Sequence, residues 1–139
     1  MAKKLGKQPA KHLAKKQPAK KRVEKEIRLS LVGVSYRVPP ATRKFLLEHL
    51  PCRVSLKREK DNIQDLNAIS VTIEDKGVPY NGMKLGYLRR QVAAVWANEI
   101  DAGRLSVSKA YLIELDAVEG VGELLITVKA FSKALEVGP

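Results

Sequence analysis

Apolar and polar side chains alternate through Ile27, Leu29 and Leu31, and the run continues as Val32-Gly33-Val34-Ser35-Tyr36, which predicts a long first strand. Pro39-Pro40 ends it. Residues Thr42 to His49 suit a short helix with Phe45, Leu46 and Leu50 on one side and Pro51 as the stop. Val54 and Leu56 alternate with Arg53, Ser55 and Lys57 as a second strand. The polar stretch Asp61-Asn62-Ile63-Gln64-Asp65 predicts a loop, because Asn and Asp favour turns over ladders. A third strand follows, in which Ile69, Val71 and Ile73 alternate with Ala68, Ser70 and Thr72. The connector from Gly77 to Gly82 leads into a fourth strand from Met83 to Leu88.

The next segment carries the clearest helical period. Val92, Val95, Trp96 and Ile100 recur at helical spacing, and Gly103 stands at the expected C-terminal stop. Trp96, the only tryptophan, reads on this face as core; a base-stacking platform is the rival. Two strands close the pattern. Leu105, Val107, Tyr111, Ile113 and Leu115 form one, and Leu124, Ile126 and Val128 the other, with Glu119-Gly120 at the turn. Six strands and two helices predict a mainly β, α+β domain built as a partly closed barrel or an α+β roll, since a flat sheet would leave edges exposed.

Charge changes this picture at one end of the chain. The 139 residues carry a formal charge of +11 from 26 basic and 15 acidic side chains. Nine of the basic ones (Lys3, Lys4, Lys7, Lys11, Lys15, Lys16, Lys20, Lys21, Arg22) fall in residues 1–22, which hold no acid. The remainder then holds 17 basic against 15 acidic residues, so it carries only +2. The predicted layout is a disordered Lys/Pro/Ala-rich arm at 1–25, a domain at 26–132 and a short tail at 133–139. Lys7-Gln8-Pro9-Ala10-Lys11 recurs as Lys16-Gln17-Pro18-Ala19-Lys20, and each proline breaks the helix that Ala and Lys favour. Such an arm binds polyanions by displacing counterions from phosphates; a solubilising tail is the alternative. Leu5 and Leu13 alone give it no apolar face for a membrane, and no run of apolar residues is long enough to span one.

Little points to chemistry. The two histidines, His12 and His49, neighbour no second ligand at metal spacing, and Cys52 has no second cysteine. A His49–Cys52 pair lacks the orienting third group that a nucleophile needs. Gly82 and Gly86 are not followed by the Gly-Lys-Ser/Thr of a phosphate loop, and Asp61 with Asp65 supplies too few carboxylates for a nuclease metal. The expectation is a non-enzymatic, cytoplasmic protein without cofactor. A nucleoid location is expected if the host is bacterial.

Three blocks carry a family resemblance. The central one is Val54-Ser55-Leu56-Lys57-Arg58-Glu59-Lys60-Asp61-Asn62-Ile63-Gln64-Asp65-Leu66-Asn67-Ala68-Ile69-Ser70-Val71. It resembles the HIRAN signature of a hydrophobic strand followed by Arg-(Asp/Glu)-Pro-x-Asn-Pro-(aromatic)-Asp-x-Asn-Ala-Ile-x-Val. Upstream, Val32-Gly33-Val34-Ser35-Tyr36 is similar to the family's first strand. Downstream, Leu85-Gly86-Tyr87-Leu88-Arg89-Arg90-Gln91-Val92-Ala93 is similar to its entry into a helix. The blocks fall in family order over residues 29–103. Lys60 and Ile63 replace the two loop prolines, Gln64 replaces the aromatic, and Arg37 stands where a second aromatic often follows Tyr36.

The resemblance implies an OB-like barrel that binds single-stranded DNA and captures a free 3′-hydroxyl. By position, Asp65 would accept the hydroxyl's hydrogen bond, Tyr36 would stack on the terminal base, Asn62 would contact the end nucleotide and Arg90 would pair a phosphate. Arg37, Tyr87 and Arg89 join them as nucleic-acid-binding candidates, while Arg58 and Asn67 read as scaffold. The expected role is a stand-alone accessory protein of DNA repair, replication or packaging, of bacterial, phage or plasmid type, working beside other repair or replication proteins. Two rivals stay open: a protein-interaction module tethered to nucleic acid by its arm, and a basic protein associated with RNA or ribosomes.

Overall fold

A computed structural model of the chain describes residues 22–116 and 118–131. Within them six antiparallel strands close a barrel: β1 (Arg22–Val32), β2 (Cys52–Arg58), β3 (Ile69–Ile73), β4 (Lys84–Leu88), β5 (Leu105–Asp116) and β6 (Val121–Phe131). Their order around it is β1-β4-β3-β2-β5-β6. Strand β1 makes the closure, pairing Leu31 with Leu88 and Val32 with Tyr87 on one side and residues 22–31 with β6 on the other. The strand includes residues 22–25, which composition alone assigned to the arm. Leu31, Ile69, Ile73, Leu85, Leu112, Leu124 and Ile126 fill the interior, each nearly inaccessible to water. That inward alternation is what a closed barrel demands of every strand.

The seam between β1 and β4 is unusually close. A Cβ placed on Gly86 would lie 2.2 Å from the Val32 carbonyl oxygen, so only glycine lets the two backbones meet there. The first strand is shorter than its sequence predicts. It stops at Val32 because Gly33 takes a left-handed φ of 83°, and Val34–Arg37 form a single helical turn, α1. Val34 and Val38, each 2% exposed or less, anchor that turn in the core.

Helix α2 (Pro40–Leu47) begins two residues before its predicted start, with Pro40 in the first turn, where a missing N–H costs nothing. Helix α3 (Arg90–Asp101) buries Val92, Ala93, Trp96 and Ala97. Trp96 is core, 1% exposed, and its indole N–H has no hydrogen-bond partner among the described residues. Val95, expected on the same face, is instead exposed. Gly103 closes α3 at φ 77°, donating to the Ile100 carbonyl while Arg104 N–H reaches Glu99.

Strand β5 departs most from its predicted pattern. Its register against β6 shifts between Val107 and Lys109 and again between Leu112 and Glu114. Each extra residue flips the alternation, so Ala110 and Leu112 face the core while Tyr111 and Ile113 are half-buried. The sole cysteine, Cys52, is buried, and burial, aided by the nearby Asp75 carboxylate, pushes its thiol up to about 11. That is the reverse of an activated nucleophile. No helix among the described residues is long and apolar enough to cross a membrane.

Candidate nucleic-acid interface

The loop between β2 and β3 is built from three successive turns. Asn62 N–H donates to the Glu59 carbonyl (3.1 Å), Asp65 N–H to Asn62 (3.1 Å) and Ala68 N–H to Asp65 (3.0 Å). Asn and Asp at the turn starts reinforce them, as short polar side chains do. Asn62 Oδ1 accepts from the N–H groups of Gln64 (3.0 Å) and Asp65 (3.2 Å), and Asp65 Oδ1 accepts from Asn67 N–H (3.0 Å). The ends are tied by Glu59 N–H to the Ala68 carbonyl at 2.9 Å. Arg58 acts as scaffold beneath: Nη1 donates to the Ala68 carbonyl (3.0 Å), and Nε and Nη2 grip both oxygens of Asp101.

This loop faces β4 and the start of α3 across a pocket of about 240 Å³ lined by Val32, Arg37, Asn62, Gln64, Asp65, Ala68, Tyr87, Leu88 and Arg90. Five of the seven domain residues singled out in the sequence therefore converge. Arg90 Nε lies 3.4 Å from Asp65 Oδ2, and its Nη2 donates to the Gln64 carbonyl at 3.1 Å. The α1 turn carries Arg37 over the Tyr87 ring, 4.9 Å from its centroid, with Nη2 3.4 Å from the hydroxyl. Arg89 is exposed at the N-cap of α3 and is not part of the lining. The backbone of Tyr36 lies in α1; its side chain, that of Arg22 and the whole of residues 1–21 and 132–139 lie outside the described residues.

Two residues with no role in the sequence reading hold the back of the site. Tyr87 Oη donates to Glu59 Oε1 at 2.8 Å, and Lys84 Nζ pairs with Glu59 Oε2 and lies 3.3 Å from Tyr87 Oη. Glu59 stands within the family motif, so a signal existed; Lys84 is two strands away in the barrel and had none. Burial opposes ionisation of Glu59, but hydrogen bonds from Lys84, Tyr87 and Asn62 outweigh it and hold the carboxyl at about 2. Because the folded value lies below the ordinary 4.5, the stabilisation is present above pH 4.5 and is lost as pH falls toward 2. Glu59→Gln should lower stability near neutrality by about 2 kcal/mol. The gap to wild type should close between pH 4.5 and 2 in urea titrations. A gap independent of pH would show that the charge on Glu59 does not matter.

A family model for the HIRAN domain matches residues 25–126. The chain belongs to the HIRAN domain family. Among solved structures, the crystal structure of the HIRAN domain of human HLTF is similar, with 20% identity and a TM-score of 0.60 over 84% of this chain and 85% of that one. The crystal structure of a Lactobacillus plantarum protein aligns at 25% identity and a TM-score of 0.55, over 78% and 99%. The NMR structure of the HLTF HIRAN domain in its DNA-bound conformation aligns at 21% identity and a TM-score of 0.53, over 80% of each. No curated protein matches the chain. The closed six-stranded barrel agrees with the barrel expected from the strand count and with the OB-like fold that the resemblance implies.

Proposed function

We propose that this HIRAN domain binds single-stranded DNA and takes a free 3′-hydroxyl end in the pocket between the β2–β3 loop and α3, while the basic arm adds sequence-independent phosphate affinity. The observation that carries the reading is the convergence of Arg37, Asn62, Asp65, Tyr87 and Arg90 on one pocket. At about 240 Å³ it is smaller than the ~300–1,000 Å³ typical of drug-sized ligands, which suits one sugar or base and not a duplex end. Structural similarity to the HLTF domain in its DNA-bound conformation supports DNA as the ligand.

The chemistry suits an end. A carboxylate offers about four lone-pair sites. Asp65 commits Oδ1 to Asn67 N–H and holds Oδ2 only loosely against Arg90, so it retains capacity to accept from a hydroxyl. The Arg90 side chain is 72% exposed, and by trading its contacts with Asp65 and the Gln64 carbonyl it would reach the phosphate on the 5′ side of the terminal nucleotide. The same carboxylate would repel a terminal phosphate.

Fluorescence anisotropy at one salt concentration tests this. Wild type should prefer a 3′-hydroxyl strand to a 3′-phosphate strand, and Asp65→Ala should weaken binding to the hydroxyl strand by about 10–100-fold. Asp65→Asn should erase most of the preference. A wild type indifferent to the two ends sinks the end-capture reading, and Asp65 then serves only to close its own loop.

A further inference from the structure

The three turns of the β2–β3 loop repeat every three residues, so side chains three apart occupy equivalent positions along it. Asn62 and Asp65, which start the second and third turns, line the pocket. The next position in each turn belongs to Lys60, Ile63 and Leu66. All three point to water: the Lys60 side chain is 69% exposed, Ile63 is 93% exposed and Leu66 is 61% exposed. Two large aliphatic side chains thus stand exposed in a row on the loop that walls the pocket, each next in sequence to a lining residue, and that loop is pinned by backbone and side-chain hydrogen bonds. Neither contributes to the core, so folding does not explain them.

From this juxtaposition we infer that Ile63 and Leu66 form an apolar rail for a nucleobase, the one next to the terminal nucleotide held in the pocket. The inference rests on the end-binding reading above and extends it along the strand. A strand leaving a pocket of this size must run over its rim, and the row beside Asn62 and Asp65 is apolar there. Every base has an apolar face, so aliphatic side chains accept it without regard to sequence. The turns hold both side chains in place before binding, which spares the ordering cost that a loose loop would carry. Lys60, in the same row, lies 3.7 Å from Asp101 Oδ1 in a mostly exposed ion pair that a strand phosphate can replace.

The test uses the full chain and two 3′-hydroxyl strands, one intact and one lacking the base next to the terminal nucleotide. Wild type should bind the abasic strand about 10-fold more weakly, the low end of what one base contact carries. The Ile63→Ser/Leu66→Ser variant should lose the same factor on the intact strand and nothing more on the abasic one, with an unchanged melting temperature. Equal affinity of wild type and variant for the intact strand overturns the rail. So does a change in gel-filtration mass with binding unaltered, since the row would then join copies of the chain. If wild type ignores a 3′-phosphate but still needs the neighbouring base, only end capture fails. If it keeps the end preference without needing the base, only the rail fails.

Discussion

Gly86→Ala should lose about 3 kcal/mol of stability, the upper end of what overpacking costs, because the new methyl has nowhere to go. Its carbon would stand 2.2 Å from the Val32 carbonyl oxygen and 3.2 Å from both the Val32 carbonyl carbon and a methyl of Leu31. Backbone cannot swing aside as a flexible side chain can, so β1 and β4 must part. Among the described residues that seam is paired at two positions, Leu31 with Leu88 and Val32 with Tyr87. With a domain of this size losing about 4 °C or more per kcal/mol, the melting temperature should fall by more than about 10 °C. On the proposed reading DNA binding should fall with it, since Val32, Tyr87 and Leu88 line the pocket beside that seam. A variant that melts within a degree or two of wild type would mean that the seam opens at no cost.

The second large effect concerns the amino-terminal residues. Deleting residues 1–21 removes eight lysines and no acid while leaving Arg22 to pair with Phe131 in the barrel. If about six of those lysines meet single-stranded phosphates, log K for the full chain should fall with log salt at a slope of about −4. The deletion should flatten that slope and weaken binding at low salt by orders of magnitude. The melting temperature should barely move, and the preference for a 3′-hydroxyl end should persist in what binding remains. Equal slopes for the two proteins would remove the arm from the interaction.

Much of the barrel was legible in the sequence because Val54 and Leu56 in β2, Ile69, Val71 and Ile73 in β3, and Leu124, Ile126 and Val128 in β6 recur at a period of two, whereas β4 shifts register against β3. What the sequence hid were interruptions of that period. The two register shifts in β5 turn Tyr111 and Ile113 away from the core that Ala110 and Leu112 enter, and no residue type announces them. Gly33 looked like a strand residue, yet its positive φ starts the α1 turn that carries Arg37 over Tyr87. For the pocket, resemblance located residues but not their bonds. That Asn62 spends its Oδ1 on two loop N–H groups, and that Glu59 and Lys84 brace Tyr87, are products of three-dimensional neighbourhood. Val95 shows the opposite error, an apolar residue at helical spacing that falls just outside the stripe facing the core.

The state of Cys52 has a practical side. The chain's one thiol is enclosed by the barrel and stays protonated well above neutral pH, so maleimides and mild oxidants will pass it by. Any cysteine introduced on the surface would therefore be the single reactive handle, with no need to replace the native residue first. A dye attached at Gln64, on the pocket wall, would report occupancy from one defined position. A second placed at Glu119, in the turn between β5 and β6, would give a reference fixed to the barrel.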